Sequence, residues 1–190
     1  MTLLIVGLVL FLGVHSLSIV APDWRDAQLA ARGEATWKGL YSLLAAIGLG
    51  LLVFGYGVAR QSPVVVYTPP SGLRHVAVLL LLPVFPLLFA VYLPGRIKSL
   101  AKHPMLLATK LWALAHLLAN GTLADVLLFG GFLVWAVADR ISLRNRPARA
   151  VPAAPARPLN DVFAVVGGLL VYALTLMGLH RWLFGVSPLG

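Results

Sequence analysis

The chain has 190 residues, of which 60% are hydrophobic and only 11% charged, and its mean hydropathy is +0.92. A water-soluble domain carries about half apolar and a quarter charged residues, so this composition excludes a soluble globular enzyme. The formal charge of +9 does not point to nucleic acid, because the basic residues fall in short loops between apolar runs, as they do on the cytoplasmic side of a bilayer.

Six segments are apolar enough to cross, which predicts an all-α fold: a polytopic integral membrane bundle of six transmembrane helices. The first runs from about Thr2 to Val20 and closes at Ala21-Pro22. It lacks the basic opening of a signal peptide and is long enough to span, so it reads as a retained helix. His15 follows its uninterrupted apolar run, with Ser18 three residues on along the same face. The second segment covers about Thr36 to Ala59 and the third about Arg74 to Leu93. Pro83 and Pro86 predict a kink in the third, repaired by partner helices.

The fourth segment, Pro104 to Ala119, has 16 residues, just short of the roughly 17–25 that a span needs. Pro104 suits its first turn, where a missing N–H costs nothing. Trp112, His116 and Asn120 follow at four-residue spacing and form one polar-aromatic stripe. His103 and Lys110 share another face near the cytoplasmic end; Lys110 can snorkel to that surface, and both suit interfacial anchoring. Asn120-Gly121 predicts a helical hairpin with Gly121 as a left-handed C-cap. Thr122 then caps the fifth segment, Thr122 to Ala138, with Asp125 completing an acidic capping box. Residues 1–145 therefore read as a five-helix core. Residues 146–160 read as a Pro/Arg-rich cytoplasmic linker in contact with anionic headgroups. Residues 161–190 carry the sixth helix, about Asp161 to Phe184, as an appendage.

Basic residues decide the orientation. The loops after segments one, three and five hold eleven Lys and Arg, the opposite side three. That split places both termini outside, in the periplasm if the membrane is a bacterial inner membrane. His75 and His180 then lie near the outer surface and read as interfacial.

The chemical inventory is narrow. The chain has no cysteine, hence no disulfide, thiolate ligand or cysteine nucleophile. Nucleotide-binding loops, HExxH and helical acidic pairs are missing as well. What remains is histidine. An ionisable side chain at membrane depth is expensive and marks a functional site by default. Two neutral imidazoles from different helices, His15 and His116, make axial ligands for a b-type haem. Ser18 and Asn120 are spaced to hold the second ring nitrogen of each. A plain packing role, with the polar groups hydrogen-bonding helix to helix, accounts for both residues too.

The run Gly95-Arg96-Ile97-Lys98, then Lys102-His103-Pro104-Met105, then Lys110 to Gly121, resembles the NnrU family. So do His15-Ser16 and the stretch Gly33-Glu34 to Ser42, and the likeness covers about residues 1–145. It implies an inner-membrane protein associated with denitrification and with nitrite or nitric oxide metabolism. More distantly the pattern resembles plastid zeta-carotene isomerase, a haem b protein. Its haem-ligating histidines lie in His-Ser and Trp-x-x-Ala-His patterns, which match His15 and His116. Ala113 stands where that enzyme has a cysteine, so ligand switching is not carried over. His103-Pro104 is similar to part of the Arg-His-Pro motif of isoprenylcysteine methyltransferases, but Lys102 replaces the arginine.

These likenesses imply haem b on His15 and His116, with Trp112 as a packing wall and His103 and Lys110 as propionate partners or positioning groups. Two alternatives stand beside this: a non-enzymatic accessory protein for denitrification enzymes, and an isomerase or methyltransferase on an apolar substrate. The expected partners are the lipid bilayer and denitrification enzymes, with no nucleic acid.

Overall fold

The structure is a computed structural model and describes residues 1–146, 149 and 151–189. Among these residues it is all-helical, with a single isolated β-bridge between Val65 and Thr122. The elements are α1 (Thr2–Val20), α2 (Pro22–Arg32), α3 (Glu34–Ala59), α4 (Leu73–Leu81), α5 (Val84–Tyr92), α6 (Arg96–Ala101), α7 (Pro104–Ala119), α8 (Leu123–Ser142), α9 (Asn160–Leu174) and α10 (His180–Phe184). A wide π turn, Thr175–Leu179, joins the last two.

Each of the six predicted segments is helical. Four helices are long and apolar enough to cross a membrane: Thr2–Val20, Glu34–Ala59, the α4–α5 pair Leu73–Tyr92, and Asn160–Phe184. Pro104–Ala119 is apolar but shorter, and α8 carries Asp125, Asp139 and Arg140 near its ends. Part of the expected 146–160 linker, residues 147, 148 and 150, lies outside the described residues.

The chain forms two compact units, residues 1–68 with 121–142, and residues 69–120 with 143–190. In the first, α1 packs along α3 and also meets α8. The contact is made by glycines: a Cβ on Gly7 would strike the backbone of Leu52, one on Gly48 that of Phe11, and one on Gly55 that of Leu4. In lipid, apolar side chains gain nothing by leaving solvent, so close backbone approach through small residues is what holds helices together. Leu4 and Leu52 fill the spaces between and are buried.

The α8 end of this unit confirms one expected cap and corrects another. Thr122 N and Oγ1 donate to Asp125 Oδ2 at 2.9 and 2.6 Å, and Asp125 N donates back to Thr122 Oγ1 at 3.3 Å. The capping box is present. Gly121, however, is not a left-handed cap; the positive-φ glycines are Gly33 and Gly185. Its small size serves a close approach instead. The Gly121 carbonyl accepts from Val66 N and Tyr67 N, Leu123 N donates to the Val64 carbonyl, and a Cβ on Gly121 would meet the Tyr67 carbonyl.

In the second unit α7 packs on α4 and α5, and α5 on α9. Val84, Leu87 and Ala108 are its buried centre, with Ile97, Leu111 and Trp112 against them. The third predicted segment breaks at Leu82–Pro83, as the prolines require, and Pro86 is buried where Gly168 of α9 reaches it. The final helix is therefore not an appendage. Tyr172 Oη donates to the Val78 carbonyl at 2.8 Å. At its start Asn160 Nδ2 donates to the Pro94 and Pro155 carbonyls, and the Asp161 carboxylate accepts from Arg96 N and Ile97 N. This clasp explains Gly95, since a Cβ there would collide with the Asp161 carboxylate.

Candidate functional site

His15 sits on the fourth turn of α1 and is half-buried. Its Nδ1 lies 2.6 Å from the Phe11 carbonyl, four residues back on the same helix. A carbonyl can only accept, so Nδ1 carries the proton and Nε2 the lone pair. Three aromatic rings from three helices surround the imidazole: Phe11 at 4.3 Å, Tyr41 of α3 edge-on at 5.3 Å, and Trp135 of α8 edge-on at 6.0 Å. The Trp135 indole Nε1 is buried with no hydrogen-bond partner. Such an orphan donor costs free energy and calls for an acceptor that the described residues do not supply.

His116 repeats the arrangement on α7. Its Nδ1 lies 2.8 Å from the Trp112 carbonyl, again four residues back, so Nε2 is again the lone-pair nitrogen. The Trp112 ring is 5.2 Å away. Trp112 is also packed, partly buried, against the Val84–Leu87–Ala108 cluster. The partners expected for the second ring nitrogens are corrected here. The backbone, not Ser18 or Asn120, accepts from each Nδ1, and Asn120 Nδ2 donates to the His116 main-chain carbonyl at 3.0 Å. Inside a helix the i−4 carbonyl is always within reach, so it outcompetes a side chain that must be ordered first.

His15 belongs to the first compact unit; His116, Trp112, His103 and Lys110 belong to the second. Lys102-His103-Pro104 forms a local structure that its sequence does not announce. Lys102 has φ 57° and ψ −48°, and His103 N donates to the Ala101 carbonyl at 2.6 Å. That is a γ-turn of the rare, strained hand. His103 is thereby set as the N-cap of α7, with Pro104 at its first position. Lys110 is half-buried, two turns further along the same face of that helix. At the start of α4, His75 lines a shallow cavity with Arg74, Val78, Leu79 and Leu189, and His180 Nδ1 lies 2.8 Å from the Val186 carbonyl.

Each of the two histidines, taken by itself, is in the donor form that a haem iron takes. Each imidazole has its Nδ1–H fixed by a carbonyl and presents Nε2, which is how metal-bound histidine is normally held. No cluster of three or more His, Asp or Glu occurs among the described residues, so a protein-only cage for a hard metal is not formed. Phe11, Tyr41 and Trp135 were not foreseen as site residues. Their only sequence signal is helical spacing: Phe11 stands four residues before His15, Tyr41 four after Trp37 and Trp135 three after Phe132, and nothing in a linear pattern says that three separate helices turn these faces to one histidine.

The motif residues, the histidine geometry and the glycine contacts meet in one comparison. The model of the NnrU protein family matches residues 3–188. The chain belongs to the NnrU family. The match runs beyond residue 145 and takes in α9, in keeping with the grip of Asn160 and Asp161 on the Pro94–Ile97 segment of this NnrU chain. Comparison with curated proteins and with solved structures yields no match.

Proposed function

We propose that this NnrU-family chain is a six-span protein of the bacterial inner membrane, with both termini periplasmic. In this reading it binds haem b through His15 and His116 and acts in nitric oxide- or nitrite-linked redox metabolism during denitrification. The observation that carries the reading is the same geometry at both histidines: Nδ1–H held by the i−4 carbonyl, lone pair on Nε2. The orphan Trp135 N–H beside His15 supports it, because an additional group at that position supplies the missing acceptor.

Haem b, when bound, would supply one-electron chemistry, and with both histidines on the iron a diatomic gas would bind only if one of them left. The chain's own residues do the rest. Phe11 and Tyr41 fix the His15 ring and exclude water, and Trp112 does so at His116 while anchoring α7. His103 and Lys110 are the basic groups suited to propionates. A second reading has its own support: Trp112 packs against a hydrophobic core, as expected if the polar stripe of α7 only locks helices together in an accessory protein.

Purified protein from haem-sufficient cells is expected to show a Soret band that shifts with nitric oxide and is lost in a His15→Ala, His116→Ala double variant. A colourless preparation that keeps its helical content refutes the haem reading and favours the accessory role.

A further inference from the structure

The segment Ala21 to Gly33, expected as a loop, is the helix α2, and it closes a groove of about 200 Å³ against α1 and α3. The lining changes character along its length. Leu17 of α1 and Leu44 of α3 form the apolar part, and Leu44 lies about 15 Å along α3 from its first residue. Trp24 and Trp37 come next, in edge contact with centroids 6.0 Å apart. Gln28 and Arg32 complete the polar part. This order, hydrocarbon then indole then cation, is that of a bilayer leaflet read from its core to its surface.

The charges select the sign of the occupant. Arg25 is paired with Asp26 and Lys38 with Glu34, each at 2.6 Å. Arg32 makes no ion pair among the described residues. Its Nε donates to Gln28 Oε1 at 2.9 Å, which orients the guanidinium without neutralising it. A guanidinium held this way is suited to phosphate.

We propose that this groove holds an anionic phospholipid from the surrounding leaflet. One acyl chain lies along Leu17 and Leu44, the glycerol region rests against Trp24 and Trp37, and the phosphate sits on Arg32. The volume takes a length of one chain rather than a whole lipid. The site is independent of haem, and its test does not read haem.

The full chain is reconstituted in nanodiscs containing phosphatidylglycerol or phosphatidylcholine brominated on the acyl chain. Tryptophan quenching is compared with that of a Trp24→Phe, Trp37→Phe variant, which isolates the share of these two residues among the five tryptophans. Their apparent affinity for phosphatidylglycerol is expected to exceed that for phosphatidylcholine by about fivefold, the worth of one surface cation. Arg32→Gln, at an exposed position that leaves packing intact, is expected to abolish the preference. Equal quenching by both lipids, or a preference that survives Arg32→Gln, overturns the proposal. So does loss of the preference on adding inorganic phosphate, which assigns Arg32 to a free anion. No quenching of these tryptophans by either lipid also overturns it and leaves the groove to a protein segment or a soluble amphiphile.

Discussion

A histidine placed in a helix in hydrocarbon finds its nearest acceptor in its own backbone. Both His15 and His116 use it, and the choice sets the tautomer without help from another helix. Asp125 solves the opposite problem. The residue is 5% exposed, and its carboxylate accepts from Tyr56 Oη at 2.5 Å as well as from Thr122. Replacing it by Asn removes the charge that strengthens these bonds and is expected to cost about 1.5–3 kcal/mol, read as a lower melting temperature in detergent. Lys102 runs the other way. Its positive φ costs an ordinary residue about 1–2 kcal/mol, which glycine avoids. Lys102→Gly is therefore expected to leave the melting temperature unchanged or raise it, even if it weakens function; a clear loss of stability would show that the lysine side chain, not the turn, matters. Tyr67, in the loop that pairs with Gly121, has its phenol pushed above the ordinary value of 10.0 by burial and, less, by the Asp125 charge. A raised folded-state value makes its contribution full below pH 10 and lost above it, so Tyr67→Phe is expected to flatten the alkaline end of a pH–stability curve.

At the level of elements, glycines decide which helices meet. Gly48→Leu would drive a side chain into the Phe11 backbone, and overpacking of this kind costs about 1–3 kcal/mol or more. It is expected to lower the melting temperature and expose the α1–α3 contact to proteolysis. Gly13→Ala meets nothing within 4 Å and is expected to be neutral or slightly stabilising, which separates packing from any general intolerance of substitution. The six apolar helices were legible because hydrocarbon leaves the chain no alternative to helix. Two shorter helices were not. α2 mixes charge with scattered apolar residues and reads as a polar loop until its Trp24 side is seen facing α3; α6 has six residues, too few for a period. The grip of Asp161 on Arg96 and Ile97 joins positions 65 and 64 residues apart, a distance at which no local pattern carries information.

At the scale of the whole molecule the distribution of basic residues makes a topological prediction. The chain has no cysteine, so single substitutions report location cleanly. Gln61→Cys is expected to react with a membrane-impermeant maleimide in intact cells, and Ser142→Cys only after the membrane is permeabilised. The reverse pattern would invert the topology, and labelling of both sites in intact cells would remove a span. By itself the sequence determined the helical class, the approximate limits of every apolar helix, the capping box at Thr122 and the family, because each depends on neighbours within a few residues or on hydropathy alone. The tertiary structure decided what surrounds His15, why Gly7, Gly48, Gly55, Gly95 and Gly121 must be small, that the last helix belongs to a packed unit, and that α2 closes a groove. All of these depend on which faces come within contact distance, and helices in lipid choose those faces through shape and a few hydrogen bonds, which leave little trace in hydropathy.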